Sequence, residues 1–234
     1  MKRLLILLFG FMVVCLGKDT QATDLKGKLL LSGMGGASYV VGSGFSSEDK
    51  IKNNYGFGVS AEYFFLKPLS EGIAVVHNSF QGDWYRSSYP EERCYYSTDW
   101  NWTNISIFGR FVLGPENRIS PYLKAGVGIY VNRIKDWLHY PPDTTYTHKA
   151  HGQDQFGWYF GFGIHCLLTK NLLLYLDVPF NVINTNGLEI HWTDIPRGME
   201  GGHTINEKSY YFNISAGVSL LIGPKKESKK TEFR

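Results

Sequence analysis

Six ionisable side chains interrupt otherwise apolar or small segments of the chain, and their residue types limit the chemistry available to it. They are Glu62, His77, Arg110, Lys124, His165 and Asp177. Two acids and two bases of cancelling charge can form ion pairs, whereas an ion-selective ring in a pore would carry a single sign. We therefore interpret the six residues as a structural charge layer, and we expect no catalytic residue among them.

The segments around these residues follow a period of two. From residue 210 to 222, Tyr210, Phe212, Ile214 and the following even-numbered residues are mainly apolar, while the odd-numbered residues are smaller or polar. Residues 156–168 alternate in the same way. Strict alternation over more than ten residues predicts β-strands long enough to cross a bilayer.

Eight such segments can be placed along the chain. The predicted strands are 27–38, 55–66, 73–85, 102–113, 120–132, 155–168, 172–184 and 208–222. Long polar linkers (39–54, 86–101, 133–154 and 185–207) alternate with the short turns 67–72, 114–119 and 169–171. This arrangement is typical of an outer-membrane barrel, so we predict an all-β, eight-stranded, antiparallel, up-and-down transmembrane barrel over residues 23–223.

Three stretches carry a family resemblance. "YGFGVSAEYFF" (55–65), "SPYLKAGVGIY" (120–130) and "FNISAGVSLLIG" (212–223) resemble strands of the outer-membrane protein A-like β-barrel family. The resemblance implies the same fold and says little about function. The chain departs from the family's longer members, because a basic tail (224–234) stands where they carry a peptidoglycan-binding domain.

The N-terminus predicts export. Lys2 and Arg3 precede an apolar block, as in a secretory signal peptide, which we place at 1–22. The expected location is the outer membrane of a Gram-negative bacterium, with membrane lipid and lipopolysaccharide as surroundings. The formal net charge of +3 is too small to indicate a nucleic-acid partner.

Counting from the short turns places all six ionisable residues at one level of the barrel, facing the lumen. An eight-stranded barrel is only wide enough for its interior side chains to fill it. Paired charges at that level would form a plug rather than a conduit. If the strand boundaries are displaced, some of the six would instead lie solvated at the rim.

Two other chemistries have partial support in the residue types. His77 and Ser79, with Glu91, loosely resemble the lipid A 3-O-deacylase family, whose site faces lipid, but the predicted face of His77 and Ser79 is the lumen. His148 and His151 have a spacing that suits a metal, yet no cysteine or acidic pair completes a tetrahedral set. We expect no enzyme activity, no metal and no cofactor.

The predicted external connections are rich in aromatic residues. Those beyond the expected aromatic girdle are Tyr89, Tyr95, Tyr96, Trp100, Tyr140 and Tyr146. Large aromatics favour recognition of an extracellular protein or glycan, although a girdle anchoring the barrel explains those nearest the lipid. The expected function is that of a surface protein mediating adhesion or ligand binding; a narrow channel and a lipid A-modifying enzyme are the alternatives.

Overall fold

The computed structural model of the chain describes residues 24–41, 50–85, 95–140, 144–150, 154–185, 188–194, 199–205 and 208–223. The predicted signal peptide (1–22) and tail (224–234) lie outside these ranges. Within them, no helix is long and apolar enough to cross a membrane. The strands are β1 (Leu29–Val40), β2 (Lys50–Phe64), β3 (Leu69–Tyr85), β4 (Tyr95–Val112), β5 (Ile119–Tyr140), β6 (Thr144–Ala150), β7 (Gln155–Leu167), β8 (Leu172–Ile183), β9 (Leu188–Asp194), β10 (Met199–Ile205) and β11 (Ser209–Ile222).

Eight of these strands close into an antiparallel barrel, which confirms the predicted fold class. Their order is β4-β3-β2-β1-β11-β8-β7-β5, and pairing of β4 with β5 closes the ring. A path along paired residues that leaves β1 at Leu31 returns at Val41, the residue after the end of β1, a displacement of ten residues. Barrels of this size have strands tilted by about 35–45° and an interior just wide enough for side chains.

The two faces of the barrel wall differ in polarity, with the apolar side outward. On β7, Trp158, Phe160 and Phe162 are 46%, 52% and 62% exposed. Tyr159, between two of them, is buried in the lumen, since successive side chains of a strand point to opposite faces. An apolar exterior around a polar interior is the arrangement expected in lipid.

Strand pairing continues further than the sequence predicted. The linker 86–101 was expected to be a loop, but β3 and β4 pair up to Tyr85 and Tyr95. The linker 133–154 contains the end of β5 and all of β6, and 185–207 contains a hairpin of β9 and β10. β3 also begins at Leu69 rather than 73. Polar residues carry no lipid-facing alternation, yet their backbones still bond to neighbouring strands.

Three interior tyrosines lie against glycines of the next strand. Tyr122 is opposite Gly163, Tyr159 opposite Gly126, and Tyr175 opposite Gly217. A Cβ atom at Gly163 would collide with the Tyr122 ring, and one at Gly217 with the Tyr175 ring. The glycines therefore make room in the narrow lumen for an aromatic ring that crosses them.

Replacing Gly163 by alanine should displace the Tyr122 ring and destabilise the barrel by about 1–3 kcal/mol. Gly33→Ala is the matched control, because a Cβ there has no atom within 4 Å. Urea unfolding of the refolded protein in lipid vesicles measures both variants. Equal stability of the two variants would contradict the packing role assigned to Gly163.

Candidate functional site: the filled lumen

Five of the six ionisable residues are buried inside the barrel at one level. Each has at most 6% of its surface exposed, and they come from five different strands: Glu62 (β2), Arg110 (β4), Lys124 (β5), His165 (β7) and Asp177 (β8). A charge removed from water at this depth is costly unless a partner compensates for it. The contacts of each side chain therefore decide what the layer can do.

The first ion pair joins Arg110 to Glu62. Arg110 Nη2 lies 3.0 Å from Glu62 Oε2, and Ser70 Oγ donates a hydrogen bond to Glu62 Oε1. The guanidinium also lies over the Tyr122 ring, 4.3 Å from its centroid. The carboxylate thus receives both a charge and a hydroxyl donor, and the cation has an aromatic face as a further contact.

The second ion pair joins Lys124 to Asp177. Lys124 Nζ lies 3.5 Å from Asp177 Oδ2. The same ammonium lies 4.3 Å from the ring centroid of Phe108 and 5.6 Å from that of Tyr159. The pair is longer than the Arg110–Glu62 pair, and aromatic faces contribute to the stabilisation of the Lys124 charge.

Each ion pair crosses an intervening strand with small side chains. Between Glu62 on β2 and Arg110 on β4, strand β3 contributes Ser70 and Gly72. Between Lys124 and Asp177, strand β7 contributes Gly161 and Gly163. The two cations are themselves direct cross-strand neighbours, so their acids lie on either side of them rather than between them.

His165 completes the layer without entering an ion pair in the described part of the chain. Its ring is stacked on Tyr122 with centroids 6.0 Å apart. The aromatic partners Tyr122, Phe108 and Tyr159 were not predicted from the sequence as part of this site. The glycines opposite Tyr122 and Tyr159 were the available signal, because a glycine facing the lumen marks space for a ring.

The layer is covered at the short-turn end of the barrel by apolar side chains. A cluster forms there from Leu25, Leu30, Phe64, Val112, Tyr122, Leu167, Leu173 and Leu221. Leu25 precedes β1 and belongs to this cluster because the chain turns back at Gly27, whose φ of 75° favours glycine. The Gly27 amide is bonded to Phe64 O at 2.7 Å.

An aromatic cluster covers the lumen at the opposite end. Its members are Phe80, Trp100, Trp102, Tyr130, Ile183 and Tyr211. Trp102 makes edge-on contacts with Phe80 at 6.0 Å and with Tyr211 at 5.5 Å. The prediction that Trp100 is an external recognition residue is wrong. Trp100 is 7% exposed and belongs to this cluster, because β4 begins at Tyr95 and Trp100 faces inward.

A small polar cavity of about 30 Å³ lies between the charge layer and the aromatic cluster. Asn104, Asp177 and Asn213 line it, and one side-chain oxygen of each has no hydrogen-bond partner among the described residues. A cavity of this size holds a water molecule or two, and buried water commonly satisfies such groups. The lumen is therefore polar in the middle and capped at both ends.

The sixth residue, His77, is a correction to the sequence analysis. It lies on the outer face of β3, where its ring is 5.2 Å from that of the exposed Phe57 and its Nδ1 is 3.1 Å from Thr103 Oγ1. Asn78 faces the lumen instead and bonds to Ser38 and Tyr211. Polar residues occupy both faces of β3 here, so polarity could not identify the inner one.

By strand alternation Ser79 lies on the same outer face as His77, but only 4% of its surface is exposed. Their predicted lumen position was the reason for setting aside a lipid-facing hydrolytic site. That reason no longer holds, although His77 Nδ1 contacts a threonine hydroxyl. Glu91, the third residue of the resemblance, lies outside the described residues.

The remaining sequence candidates lie at the start of β4, at the end of β5 and on β6, or outside the described residues. Tyr89 and His151 are outside the described residues. The backbones of Tyr95 and Tyr96 belong to β4, that of Tyr140 to β5, and those of Tyr146 and His148 to β6. Across the described ranges, no group of three histidine, cysteine or acidic residues could hold a metal ion.

These features define a class of protein. A closed, eight-stranded antiparallel barrel with an apolar outer face and a polar, filled lumen is a transmembrane β-barrel, the fold of bacterial outer-membrane proteins. No family model matches the sequence, and none of the curated proteins is significantly similar to it.

Two solved structures with TM-scores of 0.50 or more show the same fold. A major outer membrane protein from Thermus thermophilus superposes with a TM-score of 0.52 at 13% identity, over 83% of this chain and 99% of that one. The outer membrane protein AlkL, determined in lipid bilayers, has a TM-score of 0.50 at 15% identity, over 90% and 96%. OprG from Pseudomonas aeruginosa has a TM-score of 0.49 at 11% identity, over 88% and 100%. At such identities the likeness concerns the fold alone.

Lys124→Met should destabilise the barrel by about 3–5 kcal/mol, because it leaves the Asp177 carboxylate buried without its cation. The double variant Lys124→Met/Asp177→Leu removes both charges and should recover most of that loss. Urea unfolding in lipid vesicles gives the free energy of unfolding of each variant.

Lys67→Met is the control for loss of a paired lysine outside the lumen. Lys67 Nζ lies 2.8 Å from Glu116 Oε1 in the exposed turns, and its hydrogen bond to Glu116 raises the pKa of Lys67. Solvent screens such pairs, so little change in stability is expected. Small, equal effects of all three variants would show that Lys124 is solvated rather than paired.

Proposed function

We propose that the protein is a non-enzymatic surface protein of a Gram-negative outer membrane whose projecting strands bind an extracellular protein or glycan. The observation that carries this proposal is the filling of the lumen by two ion pairs and two apolar clusters. A barrel filled in this way offers its ends, rather than its interior, to other molecules. Export by the 1–22 segment would leave both chain ends of the even-stranded barrel on the periplasmic side.

The projecting strands supply a surface of suitable size. About 9–11 residues of a tilted strand suffice to cross a bilayer. β3, β4 and β5 have 17, 18 and 22 residues, and β6 pairs with the far end of β5. The four strands therefore continue as a sheet beyond the lipid on one side of the barrel.

Aromatic residues are placed across this sheet by its register. Tyr96 is opposite Leu138, and Leu138 is opposite Tyr146 on the next strand. Tyr85 and Tyr95 are likewise paired, and Tyr95 is opposite His139. Aromatic residues on adjacent strands suit the recognition of a flat protein surface or of sugar rings.

Shortening the sheet tests the proposal. Replacing residues 83–97 by a two-residue Asn-Gly turn joins Gly82 to Thr98, which are already paired, and leaves the membrane strands intact. Cells displaying this variant should lose adhesion to cultured epithelial cells and to glycan-coated beads. Removal of the β9–β10 hairpin (188–205) is the matched control and should retain adhesion. Unchanged adhesion after removal of 83–97, with equal surface expression, would refute the binding role.

A narrow channel is the second candidate, and the polar cavity above the charge layer is the observation that favours it. Conduction would require the Lys124–Asp177 pair and the caps to open. In planar bilayers the unmodified protein should show no stepwise conductance if the lumen is a plug. Conductance steps in the unmodified protein that grow in Lys124→Ala would favour the channel over the surface role.

A further inference from the structure

The outer face of β3 carries polar residues at two levels of the lipid-facing wall. Its outward side chains are, in order, Leu69, Glu71, Ile73, Val75, His77 and Ser79. Ile73 and Val75 are 62% and 42% exposed, and Glu71 is also exposed. Only these two apolar residues separate the carboxylate of Glu71 from the imidazole of His77.

Strands β2, β5 and β7 show no such interruption. Between Tyr63 and Tyr55, the outward residues of β2 are Ala61, Val59 and Phe57. On β5 every outward residue from Ile119 to Val131 is apolar, and Phe156 to Ile164 form a continuous apolar row on β7. Within the described strands of this band, no outward lysine or arginine faces lipid.

The difference can be expressed as a hydrophobic thickness. With about 3.3 Å per residue and a tilt of about 40°, the six steps from Glu71 to His77 span about 15 Å along the membrane normal. By the same measure, the twelve steps from Ile119 to Val131 on β5 span about 30 Å. The apolar band of such barrels is about 25 Å tall.

The upper polar level extends to the adjacent strand. His77 Nδ1 is 3.1 Å from Thr103 Oγ1 on β4, and Ser79 is opposite Asn101. Below, Glu71 is opposite Tyr63 and Gly109, neither of which supplies a charge. A second copy of the barrel packed against this face would bring no lysine or arginine from the described strands of its own apolar band. Self-association through this band would therefore leave the Glu71 carboxylate unpaired.

We propose that the outer face of β3, from Glu71 to His77, is a lipid-headgroup contact at which the bilayer is locally thinned. Headgroups of both leaflets approach each other here and solvate Glu71 from one side and His77 and Thr103 from the other. Compressing the acyl chains costs a fraction of a kcal/mol per Å of mismatch, and it gives the polar groups of both levels headgroups and water as partners. The barrel thus presents one thin and one thick side to the membrane.

Two positions at equal height allow a direct test. Val75 pairs with Val59, Val59 with Gly33, and Gly33 with Val218. Because the path along paired residues shifts by ten residues over eight strands, each step from one strand to the next toward β11 lowers the position in the membrane by the length of ten-eighths of a residue. Ile214, four residues further up β11 than Val218, therefore stands at the height of Val75, on an apolar strand.

The experiment attaches a fluorophore to a single cysteine at Val75 or Ile214, after replacement of Cys15, Cys94 and Cys166. Vesicles of uniform phosphatidylcholine carry nitroxides at the headgroup or deep in the acyl chains. The Val75 label should lie about 5 Å closer to the headgroups than the Ile214 label. This is half the difference between the band of about 15 Å at β3 and the usual apolar band of about 25 Å. Glu71→Leu/His77→Leu should remove this difference while leaving the Ile214 depth unchanged.

Two results would overturn the proposal. Equal depths of the two labels in the otherwise unmodified barrel would mean that β3 holds its polar residues in hydrocarbon without thinning. A Val75 label quenched by neither nitroxide would mean that protein, not lipid, covers β3. Lys67→Leu in the exposed turn controls for a general effect of added apolar surface and should not move either label.

Discussion

Closure of eight strands with a displacement of ten residues is the constraint on which the rest of the molecule depends. Closure satisfies the backbone of every strand within the hydrocarbon, where water cannot. It also fixes a lumen so narrow that every inward side chain must fit against those of the opposite wall. The tyrosine–glycine pairs and the two apolar caps follow from this width. Bulky rings fill the space, and glycines on the facing strand admit them.

The same constraint explains why charged residues occupy the middle of the barrel. The outside of the wall is apolar because lipid surrounds it, so apolar side chains gain little by turning inward rather than outward. Ion pairs that cross a strand tie non-adjacent segments together: Glu62 to Arg110 over β3, and Lys124 to Asp177 over β7. Each pair has additional donors or aromatic faces, which a buried pair needs if it is to offset its desolvation.

Because the lumen is filled, the candidate functional surfaces of the molecule lie outside it. One is the sheet formed by the far ends of β3 to β6, with its paired aromatic residues. The other is the lipid-facing wall, which is not uniform around the barrel. β3 contributes to both, because it continues beyond the lipid at one end and carries polar residues on its outer face within it.

The sequence by itself determined the fold, since strands that cross a bilayer have a period of two and outer-membrane barrels have short turns at one end and long connections at the other. Five of the six ionisable residues that it placed in the lumen do lie there, because strand alternation assigns a lone charge to the inner face. It failed at His77, where Asn78 and Ser79 make both faces polar, and at Trp100, where pairing continues beyond the lipid. Only the tertiary structure decided which acid pairs with which base. Arg110 and Lys124 are direct neighbours, and their partners lie two strands away on opposite sides, at positions set by register between segments 48 and 53 residues apart in the chain. Register of that range depends on how the whole barrel closes, which no local pattern specifies.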